Sequence, residues 1–78
     1  VIKVKANLFL GNLKARNKNV EWLANQMVER GVNITKATIY KKLRGDSEFN
    51  APEIKVISEI MEYSKDEMYN IFFEELVS

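Results

Sequence analysis

The chain contains neither cysteine nor histidine among its 78 residues. Without cysteine there is no disulfide framework, no zinc ribbon and no thiol nucleophile. Without histidine the commonest general base, the usual imidazole metal ligand and any Ser-His-Asp arrangement are missing too. Carboxylates are plentiful, but they fall at expected helix starts and on polar faces, not in a pair placed for acid/base work. The composition therefore argues against an enzyme and calls for no cofactor and no metal. Chain breakers are also scarce, with three Gly and one Pro, a balance that favours helices. No apolar run approaches the ~18 residues that a membrane-spanning helix needs. The first ten residues lack an apolar core and a cleavage site, so no secretory leader is expected.

Apolar residues make up 46% and charged residues 29%, as in a globular domain near the lower size limit for one hydrophobic core. The formal net charge of +1 hides an asymmetry. Residues 1–50 carry ten Lys/Arg against four Asp/Glu, a net of +6. Residues 51–78 carry two Lys against seven Asp/Glu, a net of −5. A basic half and an acidic half suit a polyanion, or an acidic partner, on one side of the molecule only.

Read along its length, the chain resolves into five short helices within a single domain spanning residues 1–78. Residues 1–5 alternate apolar and basic and read either as a short flexible arm or as a frayed lead into the first helix. The first helix runs from Ala6 to Arg16, with Leu10 and Leu13 on one side and Ala6 and Phe9 flanking them. Asn19 is a natural cap for the second helix, Val20 to about Arg30, whose buried stripe is Val20, Leu23, Ala24, Met27 and Val28. Gly31 ends it, and Val32 to Thr35 form the connection. Thr35 caps the third helix, Lys36 to Arg44. Ile39 and Leu43 point inward, while Lys36, Ala37, Tyr40, Lys41 and Arg44 share the opposite side.

Phe49 is expected to pack down as an anchor. Asn50-Ala51-Pro52-Glu53 is a capping box opening a fourth helix that reaches about Glu62 and buries Ile54, Ile57, Ile60 and Met61. A second capping box, Ser64-Lys65-Asp66-Glu67, sits between the apolar pair Tyr63 and Met68 and opens a fifth helix to about Leu76, with Met68, Ile71, Phe72 and Phe73 inward. Phe72, Phe73, Leu76 and Val77 place four apolar residues close together, enough to seal a core or to form an association surface.

The informative stretch joins Trp22-Leu23-Ala24 to Ile34-Thr35-Lys36-Ala37-Thr38-Ile39-Tyr40-Lys41-Lys42-Leu43-Arg44-Gly45. A helix with a small residue where its partner crosses, a turn containing Gly, a Thr cap and a second helix seated by Ile39 and Leu43 form the pattern of a helix-turn-helix. A helix start left facing outward can meet a phosphate with its free amides, and residues one turn apart can reach base edges. Together with Ser47-Glu48-Phe49 and Met68-Tyr69-Asn70-Ile71-Phe72-Phe73, these pieces resemble the small Cro/CI-type (XRE-like) regulators of temperate phages over about residues 19–73.

The resemblance implies a five-helix, lambda-repressor-like DNA-binding domain with an elongated helix-turn-helix. Ala24 and Ile39 are fifteen positions apart, against about ten in the compact motif. By position, the family's outward recognition residues match Lys36, Ala37, Tyr40 and Lys41. Its phosphate-touching cap matches Thr35, and Arg44 lies where a backbone contact is expected. Lys14, Arg16, Lys18 and the lysines of the third helix are further phosphate contacts. The implied function is a regulator of the lysogenic/lytic switch, a homodimer on operator DNA in the cytoplasm of a bacterial host, with no role at a membrane. The alternative is an antirepressor that binds the DNA-binding domain of a partner phage repressor. Val20 stands where the family often has a phosphate-bonding Gln, and Lys18 where it usually has an apolar residue. Val20, the net charge of only +1 and the apolar end motivate the alternative, while the geometry of the motif, built for a groove, favours the operator-binding reading.

Overall fold

A computed structural model of the protein describes residues 4–73. Among these there are five helices and no strand: α1 (Ala6–Ala15), α2 (Val20–Glu29), α3 (Lys36–Arg44), α4 (Ala51–Met61) and α5 (Lys65–Phe72). The architecture is all-α. α2 packs on α3 and on α4, and α5 packs on α1 and α4.

Local chemistry starts four of the five helices. Asn19 Oδ1 accepts the Trp22 N–H at 2.8 Å, and Thr35 Oγ1 accepts the Thr38 N–H at 3.2 Å. Asn50 and Glu53 satisfy each other's backbone N–H at 2.8 and 2.9 Å. Ser64 and Glu67 do the same at 3.1 and 2.9 Å. Each cap pairs an amide that the helix itself leaves free, a stabilisation of about 1 kcal/mol. At three of these starts an apolar residue just before the cap is matched by another five positions on: Ile34 with Ile39, Phe49 with Ile54, and Tyr63 with Met68. That placement sets the angle at which the chain enters each helix. Gly31 and Gly45 close α2 and α3 with φ of +87° and +90°, a left-handed conformation that costs glycine nothing.

The core draws on every helix. Phe9 and Leu13 of α1, Leu23 and Met27 of α2, Ile39 of α3, Ile57 and Met61 of α4 and Phe72 of α5 are fully buried. Phe72 is the aromatic hub, edge-on to Phe49 at 5.8 Å and tilted against Phe9 at 6.3 Å, distances at which ring quadrupoles attract. The lower end of α1 is held by polar groups. Arg16 donates to the Met61 carbonyl and lies 3.6 Å from Glu62, and Asn12 Nδ2 donates to Tyr63 Oη at 2.9 Å. Burial pushes the Tyr63 phenol above its ordinary value, and the Asn12 bond opposes that shift only in part.

Four details differ from the sequence reading. Phe9, not Leu10, partners Leu13 in the core, because positions four apart share a helix face; Leu10 is half-buried. Val28 is 50% exposed. The chain turns away at Gly31, and Val32, whose N–H bonds to the Met27 carbonyl at 2.9 Å, packs against the core instead. Val4 and Lys5 are fastened: Val4 packs on the core, the Lys5 N–H donates to the Ile71 carbonyl at 2.9 Å, and Lys5 Nζ donates to Asn70 at 3.0 Å. α5 ends at Phe72, with Phe73 half-buried as its cap, while Leu76 and Val77 lie outside the described residues.

The Glu67 carboxylate is held below its ordinary value of 4.5, first by the Ser64 backbone N–H and then by the Ser64 side chain. A lowered folded-state pKa gives stability that is complete above the unfolded value and lost as pH falls through the folded value. Acidification is therefore expected to free the start of α5, seen as lower amide protection relative to the intrinsic exchange rate at Ser64 and Glu67 below about pH 4.5, with the effect absent in Glu67→Gln.

Candidate nucleic-acid interface

α3 is the least apolar of the five helices, burying only Ile39 and Leu43. Ile39 and Leu43 seat it on the core, and its two ends add further attachments. At the start, Ile34 is buried beside Ile39 in the same cluster, and Thr35 closes the first turn, its hydroxyl also 3.0 Å from that of Thr38. Ala24 of α2 is buried in this cluster, and a residue with a single methyl group lets a neighbouring helix approach closely.

At the far end, Lys42 turns inward. Its ammonium sits 2.6 and 2.7 Å from the two oxygens of Glu53, and both side chains are only 11% exposed. Lys42 Nζ also lies 5.7 Å from the centre of the Phe49 ring, within cation–π range. Glu53 Oε1 at the same time accepts the Asn50 N–H. One carboxylate thus closes the first turn of α4 and holds α3 to it. Lys42 is committed to Glu53, which corrects the expectation that every lysine of this helix contacts a phosphate; it is not among the outward residues. The Lys42–Glu53 pairing spans eleven positions and three elements, so no local pattern reveals it. Ile34 carries a readable signal, an apolar residue directly before a Thr cap.

The outward face carries Lys36, Ala37, Tyr40, Lys41 and Arg44, all exposed, with Thr35 exposed at its edge. Tyr40 is 38% exposed, with its ring half sheltered. Lys36 lies 4.0 Å from Glu21 of α2, a loose contact on the surface, and Arg44 pairs with Asp46 at 3.1 Å. Such exposed pairs are weak and yield readily to a stronger anion. Tyr40 and Lys41 make no hydrogen bond or ion pair among the described residues. The face can donate hydrogen bonds from three cationic side chains and one phenol, and it contains no carboxylate of its own.

The three predicted phosphate contacts outside α3 have separate settings. Lys14 is exposed on the last turn of α1. Arg16 is committed to Met61 and Glu62, although its side chain remains 41% exposed. Lys18 lies over the Trp22 ring at 5.2 Å, which gives half-buried Trp22 a polar neighbour on its open side. No group of three or more metal-binding side chains occurs among the described residues. No helix there is long and apolar enough to cross a membrane. No family model, no curated protein and no solved structure matches the chain.

Removing one partner of a largely buried pair strands the other charge. Lys42→Met is expected to cost about 1–3 kcal/mol in urea denaturation, because Glu53 keeps its bond to Asn50. Glu53→Ala should cost roughly 1 kcal/mol more, since it loses the α4 cap as well.

Proposed function

We propose that the protein is a small transcriptional regulator of the lysogenic/lytic switch of a temperate phage, binding operator DNA with α3 in the major groove. The observation that carries this reading is the outward face of α3. It is cationic and contributes no carboxylate of its own, Tyr40 and Lys41 make no hydrogen bond or ion pair among the described residues, and it is supported from behind by Ile39, Leu43 and the Lys42–Glu53 pair. The resemblance of residues 34–45 to the Cro/CI-type regulators points the same way.

In this reading the start of α3 meets a phosphate, where the positive end of the helix dipole favours an anion. Lys36 and Lys41 donate to guanine or to phosphate oxygens, Ala37 touches a thymine methyl, and Tyr40 stacks or bonds to the backbone. Arg44, Lys14, Arg16 and Lys18 neutralise flanking phosphates. A homodimer would place two such helices one helical turn of DNA apart, about 34 Å.

A second reading has its own support. Val20 is buried at the first position of α2, where a phosphate-bonding side chain would be useful, and Val28 leaves an apolar side chain exposed in the last turn of the same helix. An antirepressor that pairs with the DNA-binding domain of a partner phage repressor would use such groups more than lysines. Co-purification with the repressor encoded beside this protein, with and without operator DNA, separates the two. If the repressor is not retained and its DNA binding is unchanged, the second reading fails.

For the first reading, selection from a random-sequence duplex library followed by gel shift is expected to return a specific site. Its binding constant should fall with salt at a logarithmic slope of about 0.9 per phosphate contacted. Lys41→Ala should cost about 1–3 kcal/mol in affinity and relax sequence preference at one position if it reads a base. Absence of binding at low salt removes the reading.

A further inference from the structure

The cations of the α3 face are not equally free. Lys36 and Arg44 stand at its two ends, about two turns or ~12 Å apart along the helix, with Tyr40 midway between them. Each faces a carboxylate that comes from outside α3. Lys36 Nζ lies 4.0 Å from Glu21, in the first turn of α2. Arg44 Nε and Nη2 both donate to one oxygen of Asp46, at 3.3 and 3.1 Å, just past the left-handed Gly45. Lys41, the remaining outward cation, makes no such pair among the described residues. Three cations and two carboxylates leave this surface a local net of +1, where the outward side chains of α3 alone would present +3.

Neither carboxylate is needed to close a helix. Asn19 supplies the α2 cap by accepting the Trp22 N–H, and the turn after α3 is closed by backbone bonds from Gly45 to Lys42 and from Asp46 to Lys41. Glu21 also complements the dipole at the start of α2, a role that does not depend on Lys36. Exposed pairs of this kind hold weakly, so an incoming phosphate can displace either carboxylate. Displacement does not remove it. Glu21 is fixed on α2, and Asp46 follows Arg44 by two residues, so each stays beside the phosphate that takes its cation, and like charges so close repel. A cation shared with a fixed carboxylate also neutralises a phosphate less completely, and so releases less of the counter-ion atmosphere of a nucleic acid.

We propose, on the operator-binding reading above, that Glu21 and Asp46 are built-in counter-ions that hold down the affinity of the α3 face for nucleic acid. They restrain the two outer cations and leave Tyr40 and Lys41 as the uncompensated part of the face. Such a restraint limits retention on duplex of arbitrary sequence, which is held by phosphate contacts alone.

The test measures binding of the full chain to a fluorescent duplex of about 20 base pairs and arbitrary sequence, by anisotropy across a salt series. Asp46→Asn and Glu21→Gln are each expected to tighten binding about threefold or more at roughly 50 mM salt, with the larger gain from Asp46→Asn, whose contact is closer. Each should steepen the logarithmic salt slope, so that the gain shrinks by roughly 200 mM. Glu59→Gln removes an equal charge from the exposed side of α4 and should tighten binding by less than about 1.5-fold. Helical circular dichroism checks the fold, and Asp46→Asn, outside every helix, carries the test if Glu21→Gln unsettles the start of α2. Unchanged affinity and slope in the Asp46 and Glu21 variants overturn the proposal while leaving operator binding standing. An equal gain from Glu59→Gln overturns it too, because net charge alone then accounts for the effect. If neither the protein nor any variant binds duplex at low salt, the operator-binding reading falls and the proposal falls with it.

Discussion

A helix of nine residues that buries two side chains depends on its ends as well as on apolar packing for its position. α3 is such a helix, and the structure holds it at both ends by unlike means. The start is fixed by packing and a cap, through Ile34, Ile39 and Thr35. The end is fixed by charge, through an ammonium that meets both oxygens of one carboxylate in a site mostly shielded from water. Shielding strengthens that attraction and also makes the loss of either partner costly. Because the attachments lie at the ends and on the inner side, the whole outer side is left open for contact. A surface that must be exposed and cationic, yet fixed in orientation, leaves few other solutions in a chain of this size.

The two halves of the molecule treat charge differently. In the first half, most cations are spread over an open helix face and the end of α1; Lys36 and Arg44 are held by weak surface pairs, and Arg16 is held more firmly by the Met61 carbonyl. In the second half, acidic residues serve as caps for α4 and α5 and border an apolar channel between those two helices. Carboxylates near helix starts are favourable in any protein, because they complement the dipole and pair free amides. Glu53 and Glu67 are spent in that way. Glu59 is not; it stands with Lys55 along the exposed side of α4.

Much of this was legible in the sequence wherever the cause is local. Asn19, Thr35, Asn50 and Ser64 could be read as caps because a side chain bonding an amide three residues on depends on nothing distant. The limits of α3 follow from Thr35 and Gly45 for the same reason. The inward pair Ile39 and Leu43 and the outward set from Lys36 to Arg44 follow from helical period alone. What was hidden depends on the fold. Lys42 reads as one more surface lysine until α4 brings Glu53 beside it. Val28 fits the buried stripe of α2 until the connection at Gly31 leaves that flank uncovered. The channel between α4 and α5 leaves no trace in the sequence, since Ala51, Ser58 and Met68 become one surface only when two helices meet. The identity of the bound partner is likewise a property of a second molecule, and side-chain types restrict it to a charge and a shape.

The bond between the Lys5 amide and the Ile71 carbonyl, reinforced by the Lys5 ammonium on Asn70, brings the beginning and the end of the described segment side by side. The backbone therefore passes the same point at Lys5 and at Ile71. A short linker suffices to join two points so near each other, and the entropy of closing such a loop is small. The segment between them is therefore suited to insertion as a unit into a surface turn of a larger protein.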